Sequence, residues 1–229
     1  MGNESGTWIM HGLSASDPSC IRSVEKLEEY IDSVGFLPLF ENGIPGFSVE
    51  ERTEPDAWWS GDSSRDPWEW RALIARRGHI VYGKFFDNKA GFISREWLPV
   101  FANARRDGYD FDSLWEDGKA QRRQKLIMDC FTEEDVLFSN ELKERAGFGK
   151  NREKNFDGVL TALQMETYLC VRDFRQRLNK KGEPYGWAIA LYCTPEYLFG
   201  YDYVRSAYRE DPEISKEKIR EHIAGFGRG

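Results

Sequence analysis

Residues 136–193 read VLFSNELKERAGFGKNREKNFDGVLTALQMETYLCVRDFRQRLNKKGEPYGWAIALYC, and the changing period of their apolar positions decides the fold. A short apolar run, Val136–Phe138, precedes Ser139, a candidate N-cap for a helix Asn140–Ala146 that stops at Gly147. The third helical position is Leu142, so a full capping box is missing, although Glu141 sits in the first turn. The polar turn GFGKNREKN then delivers a second helix, from about Asn155 to Thr167, with Phe156, Val159, Leu160, Leu163 and Met165 apolar at helical spacing. Two β-rich runs follow, Tyr168–Leu178 and Tyr185–Cys193, joined by the basic turn Asn179–Pro184. Upstream, an amphipathic segment from Trp115 or Lys119 to Phe131 turns Leu126, Ile127 and Cys130 inward. Helix, short strand, helix, turn, helix, strand, basic turn, strand is the order of a winged helix-turn-helix. An unrelated α+β unit can share that order.

Working outward, Ser19 to Val34 reads as a first helix, capped by Ser19 or Ser23 and ended by Gly35, with Ile21, Val24, Leu27, Tyr30, Ile31 and Val34 in helical phase. Residues 36–67, rich in Gly, Pro, Asp and Ser, read mostly as loop. Asp66 and Pro67 then open a helix through Arg77. His79–Phe86 reads as a strand with Ile80, Tyr82, Lys84 and Phe86 on one face, returning through Asp87-Asn88-Lys89 into Ala90–Ile93. Ser94 is the expected cap of a helix Arg95–Arg105, and RRDGYDFDSLW after it reads as loop. The expected class is α+β. Its parts are an N-terminal α+β region with a β-hairpin and helices (1–118) packed on the second half, a winged helix-turn-helix (119–194) and a C-terminal helical extension (195–229).

Composition narrows the function. The hydrophobic share of 40% and aromatic share of 14% supply a substantial core. No apolar run approaches the roughly 20 residues of a membrane span. No basic segment followed by an apolar one marks a secretory signal, so a cytoplasmic protein is expected. Cys20, Cys130, Cys170 and Cys193 are scattered, as are His11, His79 and His222; no metal site and no cofactor are expected from them. The net charge is -7, yet residues 1–118 hold 12 Lys+Arg against 21 Asp+Glu while residues 141–181 hold 10 against 6. A locally basic module in an acidic chain suits contact with phosphates rather than non-specific coating of nucleic acid.

Three groups of residues could carry chemistry. Lys150, Arg152, Lys154 and Asn155 in the turn, with Arg172, Arg175, Arg177, Lys180 and Lys181 in the hairpin, are candidate contacts to double-stranded DNA. Exposed tips are commonly charged, which is the plainer account of the same residues. Trp58, Trp59, Trp68 and Trp70, with Glu69, Tyr109 and Asp110, combine stacking rings with carboxylates and form a candidate ligand pocket if the two segments meet. Otherwise the tryptophans fill a core and the aspartates cap helices. Gly147-x-Gly149-Lys150 lacks the complete phosphate-loop pattern and reads as the turn of the helix-turn-helix.

The strings DAWWSGDSSRDPWEWR (56–71), YGKFFDNKAGFISREWLPVFANARRDGYDFD (82–112) and VLTALQMETYLCVRDFRQRLNKKGEPYGWAIALY (159–192) resemble the AlkZ-related family of small bacterial proteins. Its namesakes, distantly similar, are winged-helix DNA glycosylases that remove alkylated or cross-linked bases. The resemblance implies a role linked to DNA repair and, if the chain is an enzyme, hydrolysis of an N-glycosidic bond. Those glycosylases place a Gln-x-Gln or Gln-x-Asp pair at the catalytic centre, and the nearest match is Gln164-Met165-Glu166, whose carboxylate could polarise water. The same two residues also fit the exposed side of a helix, and the chain is too short for the several winged-helix units that enclose DNA in the glycosylases. The competing expectation is a non-catalytic regulator or adaptor that uses the module to bind a protein, a second copy of itself included.

Overall fold

The structure is a computed structural model that describes residues 9–179 and 181–226. It is a mixed α+β fold. Helix α1 (Val24–Val34) begins at Ser23, whose hydroxyl accepts from the Lys26 amide, so the cap is Ser23 and the helix starts four residues later than a Ser19 cap would require. Its buried face is Val24, Leu27, Ile31 and Val34. The segment expected to be mostly loop contains strand β1 (Phe36–Pro38) and the short helix α2 (Val49–Arg52), capped by Ser48. Asp66 caps α3 (Pro67–Arg77) by accepting from the Trp68 amide, and it also accepts from the amides of Trp59 and Gly61. One aspartate thereby anchors both the tryptophan loop and the helix it leads into.

Strands β2 (Ile80–Phe86) and β3 (Lys89–Ser94) meet through Asp87 and Asn88, both at positive φ as a tight hairpin turn requires. The one-faced alternation expected of β2 is not what folds. Ile80, Val81, Tyr82, Gly83 and Phe85 are all buried, because both α3 and a later helix pack on this strand. Helix α4 (Leu98–Arg106) starts three residues later than expected. Ser94 caps the preceding turn, accepting from the Trp97 amide, rather than the helix itself. The stretch 105–115 is not all loop: α5 (Phe111–Glu116) forms there with Asp110 as its cap.

The second half runs α6 (Arg122–Met128), β4 (Leu137–Phe138), α7 (Ser139–Arg145), α8 (Phe156–Met165), β5 (Cys170–Leu178) and β6 (Pro184–Cys193). Ser139 is not the N-cap of α7; it is the first helical residue, because Phe138 is already held in the strand pairing with Leu191. Two short helices, α9 (Pro195–Phe199) and α10 (Tyr201–Val204), and the longer α11 (Pro212–Phe226) close the chain. Every strand pairing is antiparallel, in one sheet of order β1-β3-β2-β5-β6-β4. The join between the front and back of the chain is β2 to β5, at Tyr82 opposite Val171. A continuous cluster of buried side chains runs from Ile21 to Val204, and α11 lies along α4. Asn103, fully buried in α4, ties the two by donating to Ser215 Oγ at 2.9 Å and to the Glu210 carbonyl at 3.2 Å. Among the described residues no helix is long and apolar enough to cross a membrane.

The tightest convergence is at Arg106, whose side chain has no exposed surface. Its Nη1 donates to Glu196 Oε1 at 2.5 Å and to Tyr208 Oη at 3.3 Å, and its Nη2 donates to the Thr167 carbonyl at 2.6 Å. The guanidinium also lies 4.6 Å from the centre of the Tyr168 ring. Burial alone would pull its pKa down, but Glu196 and Tyr208 more than reverse this and hold the charge in place. Removing one partner of a buried pair leaves the other uncompensated, so Arg106→Met should lower unfolding free energy by about 3–5 kcal/mol, measured by urea denaturation. Gly91 offers a second test. A Cβ there would lie 2.5 Å from the Phe86 ring and 2.8 Å from the Leu37 carbonyl, so Gly91→Ala should cost about 1–3 kcal/mol by overpacking on the same measurement.

Candidate nucleic-acid interface

The turn between α7 and α8 is pinned from beneath and charged on top. Phe148 and Phe156 are buried with their rings 5.3 Å apart. Between them the backbone doubles back, with the Gly149 amide donating to the Glu153 carbonyl at 3.1 Å and the Glu153 amide to the Gly147 carbonyl at 3.2 Å. Gly149, Asn151 and Asn155 take positive φ, the region where Gly and Asn are the least costly residues. Lys150, Arg152, Lys154 and Asn155 are exposed, and among the described residues none of these three cations has a carboxylate within ion-pair distance. Glu153, in their midst, instead accepts from Arg122 and from Arg123 Nε, the latter at 2.9 Å. Those hydrogen bonds lower the Glu153 pKa, Arg122 first and Arg123 second. Arg122 and Arg123 thereby join the turn. Their signal in the sequence is the string KAQRRQK (119–125), which carries four bases in seven residues.

The hairpin cations have different employments. The β5–β6 register slips between Val171 and Asp173, and Arg172 sits in the resulting bulge. Its Nη1 donates to the Ala75 and Arg76 carbonyls at 3.0 and 2.6 Å, closing the C-terminus of α3. Arg172 is therefore engaged within the fold. Arg175 and Arg76 share the carboxylate of buried Asp173, at 2.6 and 3.0 Å. Arg177 lies 5.1 Å from the Tyr185 ring centre, and Lys181 is exposed at the tip. Lys180 lies outside the described residues.

Gln164 and Glu166 are not on an exposed face. Gln164 is 1% exposed; its Oε1 accepts from the Lys84 amide at 3.0 Å and its Nε2 donates to the Leu160 carbonyl at 3.2 Å. Glu166 is half-buried and accepts from Gln124 Nε2 at 2.7 Å. One side chain fastens α8 to β2, the other fastens it to α6, so the pair serves two different contacts. Burial raises the Glu166 pKa, and the Gln124 hydrogen bond offsets only part of that.

The two halves of the expected ligand pocket are held apart in their partnerships. Trp58 and Trp70 are core residues whose indole N–H groups donate to Thr53 Oγ1 and to the Ser63 carbonyl. Trp68 stacks under the Arg71 guanidinium, 3.6 Å from its ring centre, while Trp59 and Glu69 are exposed. Tyr109 and Asp110 belong elsewhere: Tyr168 and Tyr208 donate to the Tyr109 carbonyl, and Tyr201 donates to Asp110. Asp110 borders an acidic cleft of about 170 Å³ with Asp112, Asp129 and Glu196 along its wall. His11, Glu41 and Glu50 bring ligand atoms within 4.8 Å of one another. Both Glu50 oxygens already accept backbone amides, from His11 at 3.1 Å and Glu41 at 2.9 Å, which is a structural use.

These features define a mixed α+β protein whose antiparallel sheet carries a cationic turn ahead of one of its helices. A family model described as AlkZ related matches residues 21–228, nearly the whole chain, and the protein belongs to that family. No curated protein and no solved structure matches it.

The sign of the Glu166 shift gives a test of its structural role. A carboxyl whose folded pKa lies above its unfolded value binds its proton more tightly when folded. It therefore costs no stability below the ordinary value of 4.5 and a growing amount as pH rises through the raised folded value. Glu166→Gln should be more stable than the parent at pH 7, with the difference vanishing below the ordinary carboxyl range, read from thermal unfolding across pH.

Proposed function

We propose that the protein is a nucleic-acid-binding member of the AlkZ-related family, acting on or beside alkylated bases in double-stranded DNA, with residues 119–194 working as a winged helix-turn-helix. The observation that carries this reading is the turn at Lys150, Arg152 and Lys154, three exposed cations without carboxylate partners among the described residues, just ahead of α8. The pairing of β4 with the far strand of the β5–β6 hairpin supports it, since that is the arrangement by which a winged helix closes its three-helix core. The family supports the link to DNA. Because α8 is packed by β2 and α6 along its length, contact would come from its N-terminal end and the turn, with Arg175, Arg177 and Lys181 reaching a second stretch of phosphates. In a catalytic version of this reading, Glu166 is the base toward water, while Gln164 stays committed to the β2 backbone. Unchanged base release by Glu166→Gln would then remove it from the mechanism.

A second reading, a non-catalytic adaptor, is favoured by one feature. Leu178 and Tyr185, near the end of the hairpin, are 64% and 44% exposed. Apolar side chains there suit a protein partner or a second copy better than a phosphate backbone.

Titration of a fluorescent DNA duplex at several salt concentrations separates the two. The parent should bind with affinity falling steeply with salt. Lys150→Ala/Arg152→Ala/Lys154→Ala should bind more weakly and flatten the log–log salt slope by about 2–3, from roughly 0.9 per lost phosphate contact. No binding at low salt would sink the DNA reading.

A further inference from the structure

A cavity of about 440 Å³ opens between β1, the β2–β3 hairpin and α11, on residues that the cationic turn does not use. Its walls are aromatic. The Phe36 and Phe86 rings stack with centres 6.1 Å apart, Phe47 meets Phe36 edge-on at 5.7 Å, and Phe85 and Ile223 are among the other lining residues. The volume falls within the range of about 300–1,000 Å³ usual for small-molecule sites. One end is polar, and there the side chain that matters is Arg105.

Arg105 is held by ring faces rather than by acids. Its guanidinium lies 4.7 Å from the Phe101 centre and 5.8 Å from that of Phe86, and Nη1 donates to the Met165 carbonyl at 2.9 Å. A guanidinium carries five N–H donors, and no ion pair among the described residues involves this one. Burial pulls its pKa down to about 10, with the Asp87 charge working the other way, so the group stays cationic at neutral pH. Asp87 also borders the cavity and acts on Arg105 from beyond ion-pair distance, so among the described residues the guanidinium has no direct carboxylate partner. A desolvated, mostly unbonded guanidinium at the end of an aromatic slot is a receptor for a flat anion. Planar rings stack on phenylalanine faces, and a carboxylate matches the guanidinium fork with two parallel hydrogen bonds.

We propose that this cavity binds a small aromatic carboxylate, its ring among Phe36, Phe47 and Phe86 and its carboxylate on Arg105. Calorimetric titration of the full chain with 2-naphthoate, and with 2-naphthamide as the neutral counterpart, tests it. The acid should bind and the amide should be weaker by about tenfold or more, the usual advantage of a charge-assisted pair. Arg105→Met should erase that preference, and Ile223→Trp, which fills the slot, should abolish binding of both. Equal affinity for acid and amide overturns the proposal. So does absence of binding by the acid, or binding that survives Ile223→Trp. Should Arg105→Met fail to fold for want of its bond to Met165, the acid–amide comparison on the unaltered chain still decides.

Discussion

A single buried guanidinium holds together segments that the chain keeps far apart. Arg106, at the end of α4, bonds to Thr167 at the turn into β5, to Glu196 in α9 and to Tyr208 beyond α10. Taking an arginine fully out of water is costly unless its charge is matched, and here a carboxylate, a phenol, a carbonyl and a ring face meet the two Nη groups and the guanidinium face, while Nε has no partner among the described residues. The partner at Thr167 adopts a left-handed backbone conformation, with φ of 64°, which is unfavourable for a β-branched residue. Such strain persists where surrounding contacts over-determine it, and the Arg106 bond to the Thr167 carbonyl is one of them.

With these segments locked, the rest of the arrangement follows. Thr167 lies between α8 and β5, so holding it to α4 presents β5 to β2 and lets one sheet run through the protein. The same docking covers α8. Its Gln164 is committed to the β2 backbone and its Glu166 neighbour to α6, leaving the turn at 147–155 and the hairpin as the open cationic surfaces.

Much of the local structure was legible because its causes are local. The Asp66–Pro67 helix start, the Asp87-Asn88 hairpin and the order of elements from α6 to β6 rest on capping, turn chemistry and periodicity within a few residues. What went unseen depended on cover from distant segments. Strand β2 was expected to have one polar face, and it has helices on both sides. Gln164 looked free to act on a substrate, whereas a strand some eighty residues earlier occupies it. Arg172 fits a phosphate contact by its place in the hairpin, whereas a bulge turns it onto the end of α3.

The candidate interface divides along the same line. Sequence alone determined that residues 147–155 form a polar, basic turn between two helices, since glycines, asparagines and lysines at that spacing leave little else to form. Tertiary structure alone decided how the cations are arranged: Arg122 and Arg123 were brought beside the turn by pairing with Glu153, and Arg172 was drawn onto the end of α3. It also separated Tyr109 and Asp110 from the tryptophans by giving each group its own partners. The physical reason is that a charge's role is set by whichever carboxylate, carbonyl or ring the folded chain brings within a few ångströms, and sequence spacing does not carry that distance.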